Sequence, residues 1–300
     1  MLANMLPFTG NPLDRASQKR ADAAWIAERL RLGRVLPLAN LQVLTAGEGA
    51  LRAALVPPET AAALAGPEAP RVFLGLDGET ALFALDVSAV EGAGEALKAC
   101  GQFRDLRASA PFLRRKDLAI LSQAKGVMEW HARNRFCPRC GGATAVGDAG
   151  WKRVCLSCAA EHFPRTDPAV IMLAIHGEEC LLARNAKWSG DFYSCLAGFV
   201  EPGESIEEAV RRESFEEAGV RVSKVTYFAS QPWPFPTSIM IGCFAECPSK
   251  ALQLDPGEIA DALWFAKKTA LKLLNGELEG KRGPMKAAVA HHLIRTWAES

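Results

Sequence analysis

Seven residues between positions 198 and 219 stand in a spacing that can do chemistry. Gly198, Glu204, Arg212, Glu213, Glu216, Glu217 and Gly219 follow the pattern G-x5-E-x7-R-E-x-x-E-E-x-G. On a helix, at about 100° per residue, Glu213, Glu216 and Glu217 share one arc of roughly 100°. Three carboxylates crowded on one face repel each other unless a cation sits between them. Hard oxygen donors of this kind suit Mg²⁺ or Mn²⁺. Arg212 can turn back onto a glutamate of the cluster and hold it. The glycine-rich loop from Gly198 to Gly203 lets the backbone approach a ligand and offers carbonyls such as that of Ala197 to a metal. The competing reading of the same residues is a solvated, glutamate-rich surface helix.

A second set of ligands lies upstream. Cys137-Pro-Arg-Cys140 is followed after fourteen residues by Cys155-Leu-Ser-Cys158. Two CxxC knuckles at this separation have zinc-ribbon spacing, each supplying two thiolates to one tetrahedral ion. Four protein ligands leave no open position, so such a site is structural; disulfides are the alternative. Gly141 and Gly142 allow the tight turn, and Arg139, Lys152 and Arg153 are expected to offset the thiolate charge. His131 and His162 flank the knuckles and read as ordinary residues. The other five cysteines, Cys100, Cys180, Cys195, Cys243 and Cys247, share no spacing and are expected as small buried apolar residues.

Downstream, residues 230–238 read SQPWPFPTS. Prolines at alternate positions predict a stiff, extended backbone that holds Trp233 and Phe235 outward. Rigid aromatics suit stacking on a nicotinamide or adenine ring, with Gln231 and Ser238 as polar contacts. An aromatic-proline turn packed in a core is the alternative.

The box at 198–219 resembles that of the Nudix hydrolase superfamily without gaps, save that Ser214 stands where the family has an aliphatic residue. The array SQPWPFPTS after such a box, with a four-cysteine ribbon and an extra N-terminal domain before it, resembles the NADH pyrophosphatase subfamily. The resemblance is strong over residues 100–300 and weak over 1–100. It implies zinc on Cys137, Cys140, Cys155 and Cys158. It implies catalytic divalent metal on the Ala197 carbonyl, Glu213, Glu217 and Glu258, with Glu216 adjacent. Arg212 would fix the cluster and Glu213 or Glu216 would serve the attacking water. The dinucleotide would be lined by Gln231, Pro232, Trp233, Pro234, Phe235, Pro236, Thr237, Ser238, Ala290 and Phe163. A glutamate that some members place before the third zinc cysteine is not matched, since Ala149-Gly150-Trp151 stands there.

The implied activity is metal-dependent cleavage of the pyrophosphate of NADH or NAD⁺ to AMP and a nicotinamide mononucleotide. NAD-capped RNA, another nucleoside diphosphate-linked substrate, or a zinc-ribbon nucleic-acid binder with a degenerate box are the alternatives. The family also implies a homodimer.

Elements must position these groups. Ser205 and Glu208 form a capping box that starts the box helix, and Gly219 ends it. Around it, Ala169–Ile175, Cys180–Ala183, Phe192–Leu196, Val222–Ser230, Ser238–Ala245 and Ala260–Ala266 read as strands, and Met285–Ala298 as a terminal helix. This suits the implied α/β/α sandwich with a mixed sheet. Upstream, Asp22–Leu32 reads as a helix, RVLPLANLQVL and RVFLGLDGETALFALDV as strand pairs, and Phe103–Arg133 as one long helix. Leu113, Ile120, Leu121, Ala124, Met128 and Trp130 are its expected buried positions. The expected division is an N-terminal α+β domain at 1–130, serving packing or dimerisation, the zinc ribbon at 131–166 and the Nudix domain at 167–300.

The composition of the 300-residue chain sets bounds. Hydrophobic content of 49% supports real cores, and a net charge of +1 calls for neither nucleic acid nor membrane. No apolar run reaches the length of a span, the N-terminus lacks a signal-peptide pattern, and nine cysteines weigh against full disulfide pairing. These features predict a cytoplasmic protein without a membrane partner.

Overall fold

The computed structural model describes residues 6–66, 69–187 and 190–300; the first five residues of the N-terminal stretch read above lie outside them. By their contacts the residues form two units. The ribbon unit comprises Phe8–Thr166 with Trp233–Thr237, and the box unit comprises Met1–Pro7, Asp167–Pro232 and Ser238–Ser300.

In the ribbon unit, helix α1 (Ala23–Leu32) starts where the Asp22 carboxylate accepts from the Trp25 amide at 3.0 Å. Strands β1 (Arg34–Ala39) and β2 (Gln42–Ala46) turn through Asn40 and Leu41, both with positive φ, as a two-residue hairpin requires. There follow β3 (Arg52–Ala53), α2 (Pro58–Ala62), β4 (Arg71–Asp77), β5 (Thr80–Asp86), α3 (Ala93–Ala96) and β6 (Gln102–Arg104). The sheet order is β3-β2-β1-β5-β4, with β6 on β2 and β1 parallel to β5. Val35, Leu44, Phe73, Phe83, Leu85 and Leu97 fill its core.

The long helix expected over Phe103–Arg133 is not one element. β6 ends at Arg104, α4 (Leu106–Ser109) is capped by Asp105, a single tight turn holds Pro111, and only α5 (Arg115–Arg133) is long. Asp105 accepts the Ala108 amide and starts a new helix, and Pro111 cannot continue one. Leu113, Ile120, Leu121, Ala124, Met128 and Trp130 are buried as expected.

The ribbon itself is the three-stranded sheet β7 (Thr144–Gly147), β8 (Lys152–Cys155) and β9 (Glu161–His162). Trp151 ties it down, since its Nε1 donates to the Phe73 carbonyl at 2.7 Å while the Arg20 guanidinium lies 3.8 Å over its ring. The loop Ala149-Gly150-Trp151 therefore packs on the N-terminal sheet. A Cβ at Gly150 would stand 2.7 Å from the Val72 Cα.

The box unit is built on β10 (Asp167–His176), which is parallel to β14 (Ser238–Glu246) and antiparallel to β11 (Glu179–Asn185) and β12 (Leu196–Phe199). With β13 (Lys224–Trp233) and β15 (Ile259–Ala266) the order is β13-β14-β10-β11-β15, a mixed sheet. β10 is apolar from Ala169 to Ile175 because both faces are covered there. Val170, Met172 and Ala174 face the core under helix α6 (Ile206–Ala218); Ile171 and Leu173 face the core under α8 (Val289–Ala298). This is the expected α/β/α sandwich.

Three details depart from expectation. The strand read over Phe192–Leu196 is instead β12 (Leu196–Phe199), so Gly198 and Phe199, read as the start of a loop, belong to the sheet. A helix α7 (Lys267–Asn275), ended by Gly276 at φ 75°, follows β15 directly. The terminal helix begins at Val289, not Met285. Among the described residues no helix is long and apolar enough to cross a membrane.

Candidate active site

The box helix forms as its termini dictate. Ser205 Oγ accepts the Glu208 amide at 3.3 Å, Glu208 Oε2 accepts the Ser205 amide at 2.7 Å, and Gly219 closes the helix at φ 69°. Arg212 sits at the centre of the acidic cluster. Its Nε and one terminal nitrogen grip Glu204 at 2.6 and 2.8 Å. That same terminal nitrogen also donates to the Phe199 carbonyl at 2.8 Å, and the remaining one reaches Glu213 at 2.8 Å and Glu216 at 3.0 Å. Hydrogen bonds from Arg212, helped by the Glu201 amide, pull the Glu204 carboxyl down to about 2, and these partners hold the guanidinium firmly charged.

Glu213 and Glu217 are buried. Burial raises the Glu213 carboxyl, against the pull of Arg212. Burial, then the charges of Glu213 and Glu258, push Glu217 up to about 8. One oxygen of Glu217 has no hydrogen-bond partner at all. The backbone opposite leaves room for these groups, since a Cβ at Gly198 would stand 1.9 Å from the Glu213 carboxyl carbon.

Glu258 is brought to the cluster by the end of α6. The Gln253 and Asp255 amides donate to the carbonyls of Ala218 and Glu217 at 2.9 and 3.1 Å, and Asp255 in turn accepts the Glu258 amide at 3.1 Å. Ala197 lies half-exposed on β12, paired with Ile171. Buried carboxylates that repel each other, with one oxygen unpartnered, form a donor set of hard oxygens that fits a divalent cation. Ser214, next to Glu213 and three residues before Glu217, is fully buried and its hydroxyl has no partner.

The four ribbon sulfurs lie within 4.8 Å of one another. Their closest approaches, 3.4, 3.4 and 3.8 Å, exceed the roughly 2.05 Å of a disulfide. They approach the ~3.8 Å that tetrahedral Zn–S bonds of about 2.3 Å require. Amides of Cys158 and Ser157 donate to Cys155 Sγ at 3.4 Å each and bring its thiol down to about 6, so the donor set fits a zinc ion. The expected charge compensation is different. Lys152 pairs with Asp148 and Glu161, and Arg153 is spent on Thr144 and His131. His131, buried between Arg153 and the Gly150 carbonyl, is lowered to about 4 by desolvation. Of the five remaining cysteines Cys180, Cys195, Cys243 and Cys247 are buried, but Cys100 is exposed.

The stretch SQPWPFPTS is extended through Trp233 and again from Ser238, but not between them. β13 ends at Trp233, residues 234–237 turn, and β14 begins at Ser238, with the Phe235 amide donating to the Trp233 carbonyl at 2.8 Å. Trp233 and Phe235 pack edge to face at 5.2 Å. The Arg107 guanidinium lies 4.5 Å over Phe235 and 5.4 Å over Trp233, and Lys125 Nζ lies 5.3 Å over Phe235. Phe8 packs on both rings. Sequence reading missed Phe8, Arg107 and Lys125, which bear no local motif.

Gln231 is not free for a ligand. It is fully buried; its amide nitrogen donates to the Pro7 and Ala287 carbonyls, and its oxygen accepts the Val289 amide. Ser238 is buried, and Ala290, backbone and side chain alike, is 1% exposed in the core under α8, so neither is open to a ligand. Pro234 is buried, Pro232 is exposed, and Pro236 and Thr237 are half-buried. Phe163, just after β9, is 58% exposed.

Comparison with known proteins follows these features. Three family models match: the NADH pyrophosphatase-like rudimentary NUDIX domain at residues 32–130, the NADH pyrophosphatase zinc ribbon domain at 132–163, and the NUDIX domain at 165–287. The human protein named NAD-capped RNA hydrolase NUDT12 is 45% identical over 196 residues, 62% of this chain and 42% of its own length. The human mitochondrial NAD(P)H pyrophosphatase NUDT13 is 39% identical over 211 residues, 66% of this chain and 60% of its own. The NAD-capped RNA hydrolase NudC of Chromobacterium violaceum is 35% identical over 224 residues, 74% of this chain and 78% of its own. The chain thus spans less than half the length of the first of these relatives. With the box, the ribbon and the aromatic stretch in one order, the chain belongs to the NADH pyrophosphatase subfamily of the Nudix hydrolases.

Proposed function

We propose that the chain hydrolyses the pyrophosphate bond of NADH or NAD⁺, giving AMP and a nicotinamide mononucleotide. The observation that carries this reading is the unpartnered, buried oxygen of Glu217 beside Glu213 and Glu258. Glu213, Glu217, Glu258 and the Ala197 carbonyl would hold Mg²⁺ or Mn²⁺, with Glu216 at the rim. Bound there, such an ion supplies neutralisation of the diphosphate and a water of lowered pKa. Arg212 keeps Glu204 and Glu213 fixed, so the carboxylates are positioned before substrate arrives. Glu213 or Glu216 accepts or orients the proton of the attacking water. Trp233 and Phe235, with Phe163, offer ring faces, and residues 232–237 line the dinucleotide. Zinc on the four cysteines is structural. The domain division at 130/131 and 166/167 belongs to this reading and is supported by the bounds of the three family matches. So do a homodimer and a cytoplasmic location.

One observation favours NAD-capped RNA as a second substrate. Residues 104–166 hold twelve Lys and Arg against five Asp and Glu, whereas residues 167–300 hold fourteen against eighteen. The near-neutral total conceals a basic segment suited to a phosphate backbone. Purified protein incubated with NADH, NAD⁺, ADP-ribose and NAD-capped RNA, under Mg²⁺, Mn²⁺ or EDTA, separates the readings. AMP with reduced mononucleotide from NADH, abolished by EDTA, is the expected result. Turnover of capped RNA alone would replace the first reading by the second.

A further inference from the structure

The chain's beginning is tied to the aromatic turn. Leu6 is 2% exposed and lies in the core under α8. The Pro7 carbonyl accepts from Gln231 Nε2 at 3.1 Å, and the same side chain holds the first amide of α8 at 2.8 Å. The next residue, Phe8, is 3% exposed and packs edge to face on Trp233 at 5.7 Å and on Phe235 at 5.9 Å. Beyond it, Asn11 Nδ2 donates to Gln123 Oε1 on α5 at 2.7 Å. Phe8 is thus fixed on both sides.

Phe8 also stands at φ 67°. A bulky residue in the left-handed region is sterically disfavoured and persists only where its surroundings over-determine it. Here the conformation delivers a third ring against two that are themselves only half-buried. Rings of this size held edge to face have one arrangement, so removing one lets the other two re-pack.

We propose that Phe8 is a positioning residue, which sets the Trp233 and Phe235 rings for the ring of a dinucleotide and is held to that task by Leu6, Pro7 and Asn11. The proposal rests on the reading that this turn binds a dinucleotide. The rings that Phe8 touches would hold the dinucleotide's ring and not its reacting phosphorus, so losing Phe8 weakens binding in ground and transition states alike and raises KM without lowering kcat.

The test uses the full chain. For Phe8→Ala, KM for NADH should rise about tenfold with kcat nearly unchanged. Phe8→Tyr, which keeps the ring, should restore wild-type KM, and Phe8→Leu should behave as Phe8→Ala. Hydrogen exchange of Phe235 and Thr237 is measured alongside, on protein without substrate. It should accelerate in Phe8→Leu and stay at the wild-type rate in Phe8→Tyr. Unchanged KM and unchanged exchange in a folded Phe8→Leu would overturn the proposal. Should Phe8→Ala fail to fold, the Tyr and Leu pair decides. If wild type leaves NADH intact, the dinucleotide reading fails by itself, and the exchange of the turn still decides whether Phe8 positions it.

Discussion

Helices α5 and α6 both bury ionisable side chains, and they do so in opposite ways. Lys125, Glu129 and His131 of α5 are each less than a tenth exposed. Each of them has a partner. Lys125 meets Glu129 at 2.9 Å, Glu129 also takes Arg133 at 2.8 Å, and His131 lies between Gly150 and Arg153. On α6, Glu213 and Glu217 are buried to the same degree, but Glu217 keeps one oxygen without a partner and is surrounded by like charge. α5 as far as Trp130 lies in the part of the chain matched as a rudimentary NUDIX domain, and α6 lies in the NUDIX match proper. The difference teaches how to read buried charge. A closed network is spent on the fold, whereas an open one is a site awaiting a ligand.

The comparison breaks first at Glu217. Glu217→Gln keeps the shape and takes away a carboxyl that burial and like charge make costly to ionise. The melting temperature should therefore hold at neutral pH and rise where Glu217 ionises, above about pH 8. kcat/KM on NADH should fall by roughly 10³ or more, about 4 kcal/mol. A folded Glu217→Gln enzyme with near-normal turnover would make α6 no different from α5.

Glu129→Ala should do the reverse. It strands Lys125 in a buried position and should cost about 3–5 kcal/mol of stability, read by denaturant unfolding, with turnover of the folded fraction largely kept. A loss below about 1 kcal/mol would place the pair with ordinary surface bridges.

The third test is pH. His131 is lowered to about 4 in the fold, against about 6.5 unfolded. Between those values the unfolded chain binds the extra proton, so stability is full above pH 6.5 and falls as pH drops towards 4. The loss should be on the order of 3 kcal/mol by unfolding at fixed zinc. His131→Gln, which can still donate to Gly150 and accept from Arg153, should flatten that slope. A wild-type curve already flat over this window would contradict the closed network.

The legible parts of the molecule were those written in local spacing. The box with its caps and the pair of cysteine knuckles each span 22 residues, so periodicity and turn chemistry suffice. The sandwich was legible from β10, whose unbroken apolar run needs cover on both faces. What escaped was set by long-range packing. Nothing local to Phe8 or Arg107 announces Trp233, and Gln231 looked like a ligand contact until Pro7 and Val289 claimed its amide. The Asp105 cap and Pro111 were readable breaks inside 103–133, outweighed there by the apolar periodicity of α5. Helix α7 was passed over because it follows β15 with no loop, although Gly276 marks its end.

The smallest effect is expected at Ser214, where α6 itself can be divided into a site and a fold. Ser214 is as buried as any residue of the helix, and its hydroxyl has no partner. The hydroxyl is neutral and carries no charge for a cation to neutralise, unlike the Glu217 carboxyl, so its orphan group has no ligand to await. An unpaired buried hydroxyl costs stability, and removing it without a large cavity should recover part of that cost. Ser214→Ala is therefore expected to raise unfolding free energy by up to about 1 kcal/mol, with kcat and KM on NADH unchanged. If Ser214→Ala instead lowers turnover while the protein stays folded, the hydroxyl acts on the site. An unpartnered polar atom on α6 would then signal function whether or not its group can carry charge.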